Sequence, residues 1–250
     1  MSGHSHWATI RRKKGAADAK RGQVFTRLAR EISIAAREGG GDPASNFRLA
    51  LAVDKARAQN MPKDNIERAI KRGTGDSKDG GDLEQVYYEG YAGHGIALMI
   101  EVVTDNRNRT VAEVRHMLSR SSGSMADAGS VSWQFNRVVS FSFPLEGHDP
   151  DQIFELAVEA GADDVEFDDD SVEIIGPVEV FKEISDRLSA AGIHPEEAGI
   201  RYMPTNEIEL PVDQAVQVLR LIENLEDMDD VQDVYSNLSI SDEALARLEE

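Results

Sequence analysis

Apolar residues along this chain change their period beyond residue 81, after an opening stretch of helical spacing. From Val24 to Arg37, the residues Val24, Phe25, Leu28, Ile32 and Ala35 recur at helical spacing, with Arg30 and Arg37 on the opposite face and Arg27 flanking. The spacing predicts an amphipathic basic helix. Glu38-Gly39-Gly40-Gly41-Asp42-Pro43 stops it, because glycine supplies a positive-φ exit and proline suits a new first turn. A second helix carries Phe47, Leu49, Leu51 and Val53 and ends near Asn60; Met61-Pro62 then opens a third, with Ile66, Ala69 and Ile70, which runs to Arg72-Gly73. Residues 1–75 therefore read as a small helical bundle. Gly73 to Gly81 holds no apolar residue and is rich in turn formers, which marks a linker.

Beyond the linker the pattern turns to strands. Val86 to Tyr91 and Ile96 to Val103 are rich in β-formers and are joined by Ala92-Gly93-His94-Gly95, a glycine-containing hairpin connection. Val111, Val114, Met117 and Leu118 mark a helix, and Val131 to Phe135 marks a strand. Then come a strand at Val138 to Phe143, a helix at Ile153 to Ala160, strands at Val165 to Phe167 and Val172 to Ile175, a helix at Val178 to Leu188 and a strand at Ile200 to Met203. This βαββαβ order suggests a ferredoxin-like unit over 137–205. Glu207 to Leu210 as strand, Val212 to Leu225 as helix and Val231 to Tyr235 as strand are left over, and the sheet begun at Val86 is their natural home. The expected class is α+β: an N-terminal helical bundle followed by two α/β domains, the ferredoxin-like one inserted in a middle domain of 82–136 plus 206–240. Strand, Gly176-Pro177-Val178, helix is echoed by strand, Leu210-Pro211-Val212, helix, a weak hint that the two α/β domains are related.

Composition narrows the function classes. The chain has 250 residues and no cysteine, so disulfides, thiolate metal sites and cysteine nucleophiles are out of consideration. The longest uninterrupted apolar stretch, Ile96 to Ile100, is far short of the roughly 20 residues a membrane helix needs. Gly22, Arg27 and Arg30 interrupt any apolar region that could follow the basic N-terminus, so neither a secretory signal nor a membrane partner is expected, and the cytoplasm is the default. The net charge of -19 would by itself repel nucleic acid. The total conceals a polarity: residues 1–72 carry 16 Lys and Arg against 7 Asp and Glu, a net +9, and the rest of the chain carries -28. A basic binding arm joined to an acidic body is the expected arrangement.

The sharpest electrostatic feature is Arg11-Arg12-Lys13-Lys14, followed by Lys20-Arg21 and the helix face that bears Arg27, Arg30 and Arg37. Each cation brought to a phosphate releases condensed counterions, so a run that continues into a structured basic helix favours phosphate binding over a merely solvated tail. Trp7 could stack on a base or pack onto the bundle. His4 and His6 lack a carboxylate or cysteine at ligand spacing, and no metal is expected there. Thr104-Asp105-Asn106-Arg107-Asn108-Arg109-Thr110 lies between a strand end and a helix start, with Thr110 and Glu113 fitting a capping box. Capping leaves Arg107 and Arg109 unexplained: they suit either a phosphate or carboxylate ligand at the helix start, or internal salt bridges to the acidic body.

The remaining motifs are bland. Ala128-Gly129-Ser130-Val131 has no lysine at phosphate-loop spacing, and Gly93-His94-Gly95 joins two strands where a dinucleotide fingerprint would join strand to helix. Asp168-Asp169-Asp170 lacks the glycine and distal glutamate of a calcium loop and reads as a hairpin turn. There is no Gly-x-Ser-x-Gly elbow and no His-Glu-x-x-His, so no enzyme, cofactor or small-molecule substrate is expected.

Gly3-His4-Ser5, Trp7, Asp18-Ala19-Lys20-Arg21-Gly22, Gly39-Gly40-Gly41-Asp42, Tyr88-Glu89-Gly90-Tyr91, Thr104 to Arg115, Gly129-Ser130-Val131, Asp229-Asp230-Val231-Gln232 and Val234-Tyr235 occur in an order that resembles the YebC family. Its relatives include a mitochondrial translational activator. The resemblance runs nearly the whole chain and implies three domains, the third inserted into the second. It implies a transcriptional regulator that binds DNA, or a translation factor that helps the ribosome through stretches such as consecutive prolines. By the same resemblance Lys20, Arg21, Arg107 and Arg109 are nucleic-acid contacts. The chain departs from the family where His6 replaces a usual lysine, where Ala92-Gly93-His94-Gly95 replaces Gly-Pro-Gly-Gly, and where Ser122 and Ala126 replace common glycines. The expected function is a nucleic-acid-binding regulator of gene expression, with DNA as partner and the ribosome or its RNA as the alternative.

Overall fold

The structure, a computed structural model, describes residues 21–76, 83–168 and 170–249. Three helices open it: α1 (Arg21–Gly39), α2 (Phe47–Ala58) and α3 (Lys63–Gly73). Leu28, Ile32, Ala35 and Ala36 of α1 meet Leu49, Ala52, Val53 and Ala56 of α2 and Ile66 and Ala69 of α3 in one buried cluster. α1 and α3 approach through small groups. The Ser33 hydroxyl donates to the Ala69 carbonyl at 2.8 Å, and a Cβ on Gly73 would lie 2.2 Å from the Ser33 carbonyl oxygen. Gly40, with φ +88°, turns the chain out of α1 as the glycine run predicts. The new helix starts later than Pro43, because Asn46 caps it: its side chain accepts from the Leu49 amide at 3.1 Å and donates to the Ala35 and Gly40 carbonyls at 2.8 Å each.

A first antiparallel sheet follows, built from β1 (Glu84–Tyr91), β2 (Ala97–Thr104), β3 (Ser124–Met125) and β8 (Val231–Ser236) in the order β3-β1-β2-β8. The helices α4 (Arg107–Arg120), α7 (Val212–Glu226) and α8 (Asp242–Glu249) cover one face. Leu98, Ile100 and Val102 of β2 point into that layer, as period 2 requires, to meet Val114, Leu118, Leu219 and Ile222. α8, which the hydrophobic pattern does not single out, adds Ala244, Leu245 and Leu248 to the core.

The second sheet comprises β4 (Phe135–Pro144), β5 (Asp164–Phe167), β6 (Ser171–Pro177) and β7 (Glu197–Pro204) in the order β5-β6-β4-β7. With α5 (Pro150–Glu159) between β4 and β5 and α6 (Phe181–Ala190) between β6 and β7, this is the ferredoxin-like arrangement. Phe135 and Pro204 are paired across β4 and β7, and the Thr205 amide donates to the Gln134 carbonyl at 2.8 Å. The chain thus enters and leaves this sheet side by side, and β8 completes the first sheet afterwards.

Three local expectations are corrected. Glu207 to Leu210 is no strand: it makes a single bridge, Ile208 with Leu238 just past the end of β8, and residues 205–209 lie exposed. Val131 to Phe135 is a tight turn at Ser132–Gln134 that leads into β4. Thr110 is not a cap; Asn106 caps α4 by accepting from the Arg109 amide at 3.1 Å, so Arg107 and Arg109 belong to the first helical turn and Thr110 is fully buried.

Candidate nucleic-acid interface

Of the residues singled out for phosphate contact, Arg11, Arg12, Lys13, Lys14 and Lys20 lie outside the described residues, as do His4, His6 and Trp7. Arg21 opens α1. The remaining five surround the junction between the helical bundle and the first sheet. The face of α1 turned away from the bundle is covered by the start of β8 and the turn before it. Arg27 donates to the carbonyls of Gln232 and Glu226, and Arg30 donates to the Asp229 carbonyl and pairs with Asp230 at 2.7 Å. Arg37 donates to the Leu83 carbonyl, beside a small cluster of Ile34, Leu83 and Val103. Each of these three arginines thus has an internal hydrogen-bond partner, and Arg37 also remains exposed. Here donors of the guanidinium fork are taken up by carbonyls that the chain itself supplies, neutral acceptors that hold it less strongly than a phosphate would.

Asp230 is the centre of this junction. Its carboxylate, 5% exposed, accepts from Arg30 on α1, from Arg109 at 2.9 Å and Thr110 on α4, and from Thr104 at the end of β2 at 2.9 Å. Burial alone would raise its pKa. Hydrogen bonds from Thr110, Arg109 and Thr104 and the charge of Arg30 outweigh that and hold the carboxyl below its ordinary value. Arg109 also reaches Asp105 at 3.1 Å, and Arg72 of α3 lies 3.9 Å from the same carboxylate. Arg107 pairs with Glu84 while remaining 60% exposed. Of the two readings of Arg107 and Arg109, the internal salt bridges are therefore present, and both side chains also keep exposed surface.

A second feature lies on the far edge of the first sheet. Glu89 of β1 is buried and accepts from the backbone amides of Gly129, Val131 and Ser132 at 2.5–2.9 Å. These bonds overcome the cost of burial and lower its pKa. They shape the loop over 126–134, and the Ser130 carbonyl accepts from Tyr91 Oη at 3.2 Å and from Trp133 Nε1 at 2.9 Å. Trp133 is nonetheless 72% exposed. An indole with its N–H satisfied internally and most of its surface in solvent can stack on a flat partner. Sequence reasoning overlooked it: a strand over 131–135 would place Trp133 on the same side as Val131 and Phe135, and the turn at Ser132–Gln134 swings it outward. The signal available was the glycine of Gly129-Ser130-Val131, whose φ of +87° marks a shaped loop.

Ser122, in the adjoining connection, holds φ +58°. A side chain in that region costs about 1 to 2 kcal/mol. Ser122→Gly is expected to raise stability by about 0.5 kcal/mol, the remainder going to the freer unfolded chain, as read by urea denaturation.

Between the three units lies a buried polar cluster. Glu101 of β2 accepts from Gln85 Nε2 at 2.6 Å and Tyr235 Oη at 3.4 Å, and the rings of Tyr87, Tyr202 and Tyr235 meet edge-on or tilted, with centroids 5.1–5.6 Å apart. Burial first, and then the charge of Asp233, push the Glu101 carboxyl up to about 7. Lys55 of α2, 3.3 Å from Glu31, and Arg201 of β7, paired with Glu197 at 2.7 Å and Glu173 at 3.3 Å, close the same region.

Residues 5–76 match the family model described as the TACO1/YebC protein N-terminal domain, and residues 83–238 match that of the TACO1/YebC second and third domain. The chain belongs to the TACO1/YebC family. It is 53% identical over 249 residues to a protein of Acidithiobacillus ferrooxidans named "Probable transcriptional regulatory protein", spanning 100% of this chain and 99% of that one. It is 50% identical over 251 residues, the whole of both chains, to a protein of the same descriptive name from Chlorobaculum tepidum. The crystal structure of a conserved hypothetical protein from Aquifex aeolicus superposes with a TM-score of 0.80 at 39% identity, over 90% of this chain and 93% of that one. The family therefore covers the bundle, the junction around Asp230 and both sheets alike. Among the described residues, no helix of this TACO1/YebC protein is long and apolar enough to cross a membrane.

Proposed function

We propose that this protein is a regulator of gene expression that acts by binding nucleic acid and carries out no catalysis. The observation that carries the reading is the charge polarity: a net +9 in residues 1–72, concentrated at Arg11-Arg12-Lys13-Lys14 and Lys20-Arg21, against -28 in the rest. A body of that charge is repelled by phosphates and holds the molecule in the orientation that presents its basic end. Arg107 and Arg109, exposed beside the N-terminus of α4, add a second contact to the phosphate backbone. DNA is the partner in line with the relatives' descriptive name, "Probable transcriptional regulatory protein".

A second reading, an RNA-binding translation factor at the ribosome, is favoured by two observations. Arg27, Arg30 and Arg37 are engaged internally, which takes base-reading arginines away from α1, while Trp133 offers a stacking face suited to unpaired bases. Binding to labelled duplex DNA and to ribosomes across a salt series separates the two. Changing Arg11, Arg12, Lys13 and Lys14 to Ala is expected to make log K against log salt shallower by about 3, because up to four phosphate contacts are lost. Site-selective duplex binding at physiological salt supports the transcriptional reading. Ribosome binding that weakens with Trp133→Ala, with only unselective DNA binding, replaces it with the translational one. An unchanged slope on both ligands would refute nucleic-acid contact through the basic run.

A further inference from the structure

The ferredoxin-like domain presents a face that the proposed function leaves unused. Phe154 and Val158 of α5 are 54% and 55% exposed, and Phe167 at the end of β5 is 40% exposed. The first two are one helical turn apart, so they form a single ridge. The direction of that ridge follows from its neighbours. Glu159 of α5 reaches Arg187 of α6 at 2.5 Å, and Ile153 and Ala157 face the core. At 3.6 residues per turn, Phe154 and Val158 therefore lie on the flank of α5 turned away from α6. β5 is the outermost strand of the sheet, and Phe167 shares a face with Val165, which packs under the helices. Ridge and strand end together make an apolar strip along the open edge of the domain.

Its surroundings are of one sign. Between Val138 and Phe181 the sequence has 13 Asp and Glu and no Lys or Arg. Asp151, Glu155, Asp163, Asp168 and Asp170 are exposed on the segments that carry the strip. Apolar side chains of this size in such a setting neither fill a core nor solubilise a surface. Nucleic acid, anionic membrane and an acidic protein are all repelled by this field. A second copy meeting it face to face would bring the same carboxylates together. Charge complementarity leaves one class of occupant. We infer that the strip is a docking site for a basic polypeptide segment that places apolar anchors on Phe154, Val158 and Phe167 and sets its lysines or arginines against the surrounding carboxylates. Nucleic-acid contact at one end and a basic protein partner at the other would let the regulator bridge the two.

The test uses the full-length protein and a labelled synthetic peptide of about sixteen residues, with leucine at helical spacing on one face and lysine elsewhere. Saturable binding is expected, weakened about tenfold or more both by Phe154→Ser with Val158→Ser and by Asp151→Asn with Glu155→Gln. A matched peptide with glutamate in place of lysine should not bind, and thermal unfolding should show both variants folded. Absence of binding, or equal binding by wild type and the Phe154/Val158 variant, overturns the inference. So does a concentration-dependent dimer in sedimentation that this variant abolishes, which would make a second copy the occupant. About tenfold tighter peptide binding when Arg11, Arg12, Lys13 and Lys14 are changed to Ala would instead make the protein's own basic run the occupant, and overturns it as well.

Discussion

Asp230→Ala is expected to cost about 3 to 5 kcal/mol of stability, because it removes the acceptor of a nearly buried charge and leaves the donors behind. Arg30, only 13% exposed, would keep a guanidinium in the junction with one carbonyl partner, and the hydroxyls of Thr104 and Thr110 would lose their shared acceptor. Asp230→Asn, which retains one acceptor oxygen, should cost clearly less. Chemical denaturation of the three proteins at neutral pH measures both, and a loss under about 1 kcal/mol for the alanine variant would show that the junction relaxes without this carboxylate. The same group sets an acid limit. Its folded pKa lies below the ordinary carboxylate value, so its contribution is fully present above about pH 4 and fades as pH falls through the folded pKa. The alanine variant should lose less stability than wild type across that acid range.

Glu101 produces the opposite trend at higher pH. Its carboxyl titrates near 7 in the folded protein against an ordinary value of 4.5, because it is buried and faces Asp233, with Arg48 and the hydrogen bonds from Gln85 and Tyr235 only partly offsetting this. The folded state therefore binds the proton more tightly than the unfolded chain, and stability attributable to this group falls as pH rises from about 4.5 to about 7. The full span is about 3 kcal/mol at 1.36 kcal/mol per pKa unit. Glu101→Gln mimics the protonated form, so it should be more stable than wild type above pH 7 and should flatten the decline between pH 5 and 7. Denaturation midpoints measured across pH 5 to 8 test this; parallel curves for the two proteins would mean that Glu101 stays charged without penalty.

Both predictions concern residues whose role no local pattern reveals. The spacing of the apolar residues and the runs of β-formers placed α1, α2 and α3, the β1–β2 hairpin and the βαββαβ unit within a few residues of where they lie, because these signals are local to each element. Other segments were misread. The exposed segment after β7 makes only one bridge, and Val131 to Phe135 alternates like a strand yet is bent by the loop that Glu89 organises from another part of the chain. The helix α8 is short, and its apolar residues find their partners on α7 only in the folded domain.

The candidate interface divides in the same way. Charge polarity, the basic run at Arg11-Arg12-Lys13-Lys14 and the arginine pair at Arg107 and Arg109 are properties of the chain as written, as is the absence of cysteine. The sequence by itself therefore determined the class of fold and the end of the chain that carries the positive charge. Only tertiary structure decided which of the described cations find internal partners. Arg27 meets Gln232 and Arg30 meets Asp230 across about two hundred residues of chain, and Glu89 finds the amides of Gly129 and Val131 some forty residues on. The periods of helix and strand are written into neighbouring positions, whereas a guanidinium or a buried carboxylate is satisfied by whichever partner the closed fold brings within reach.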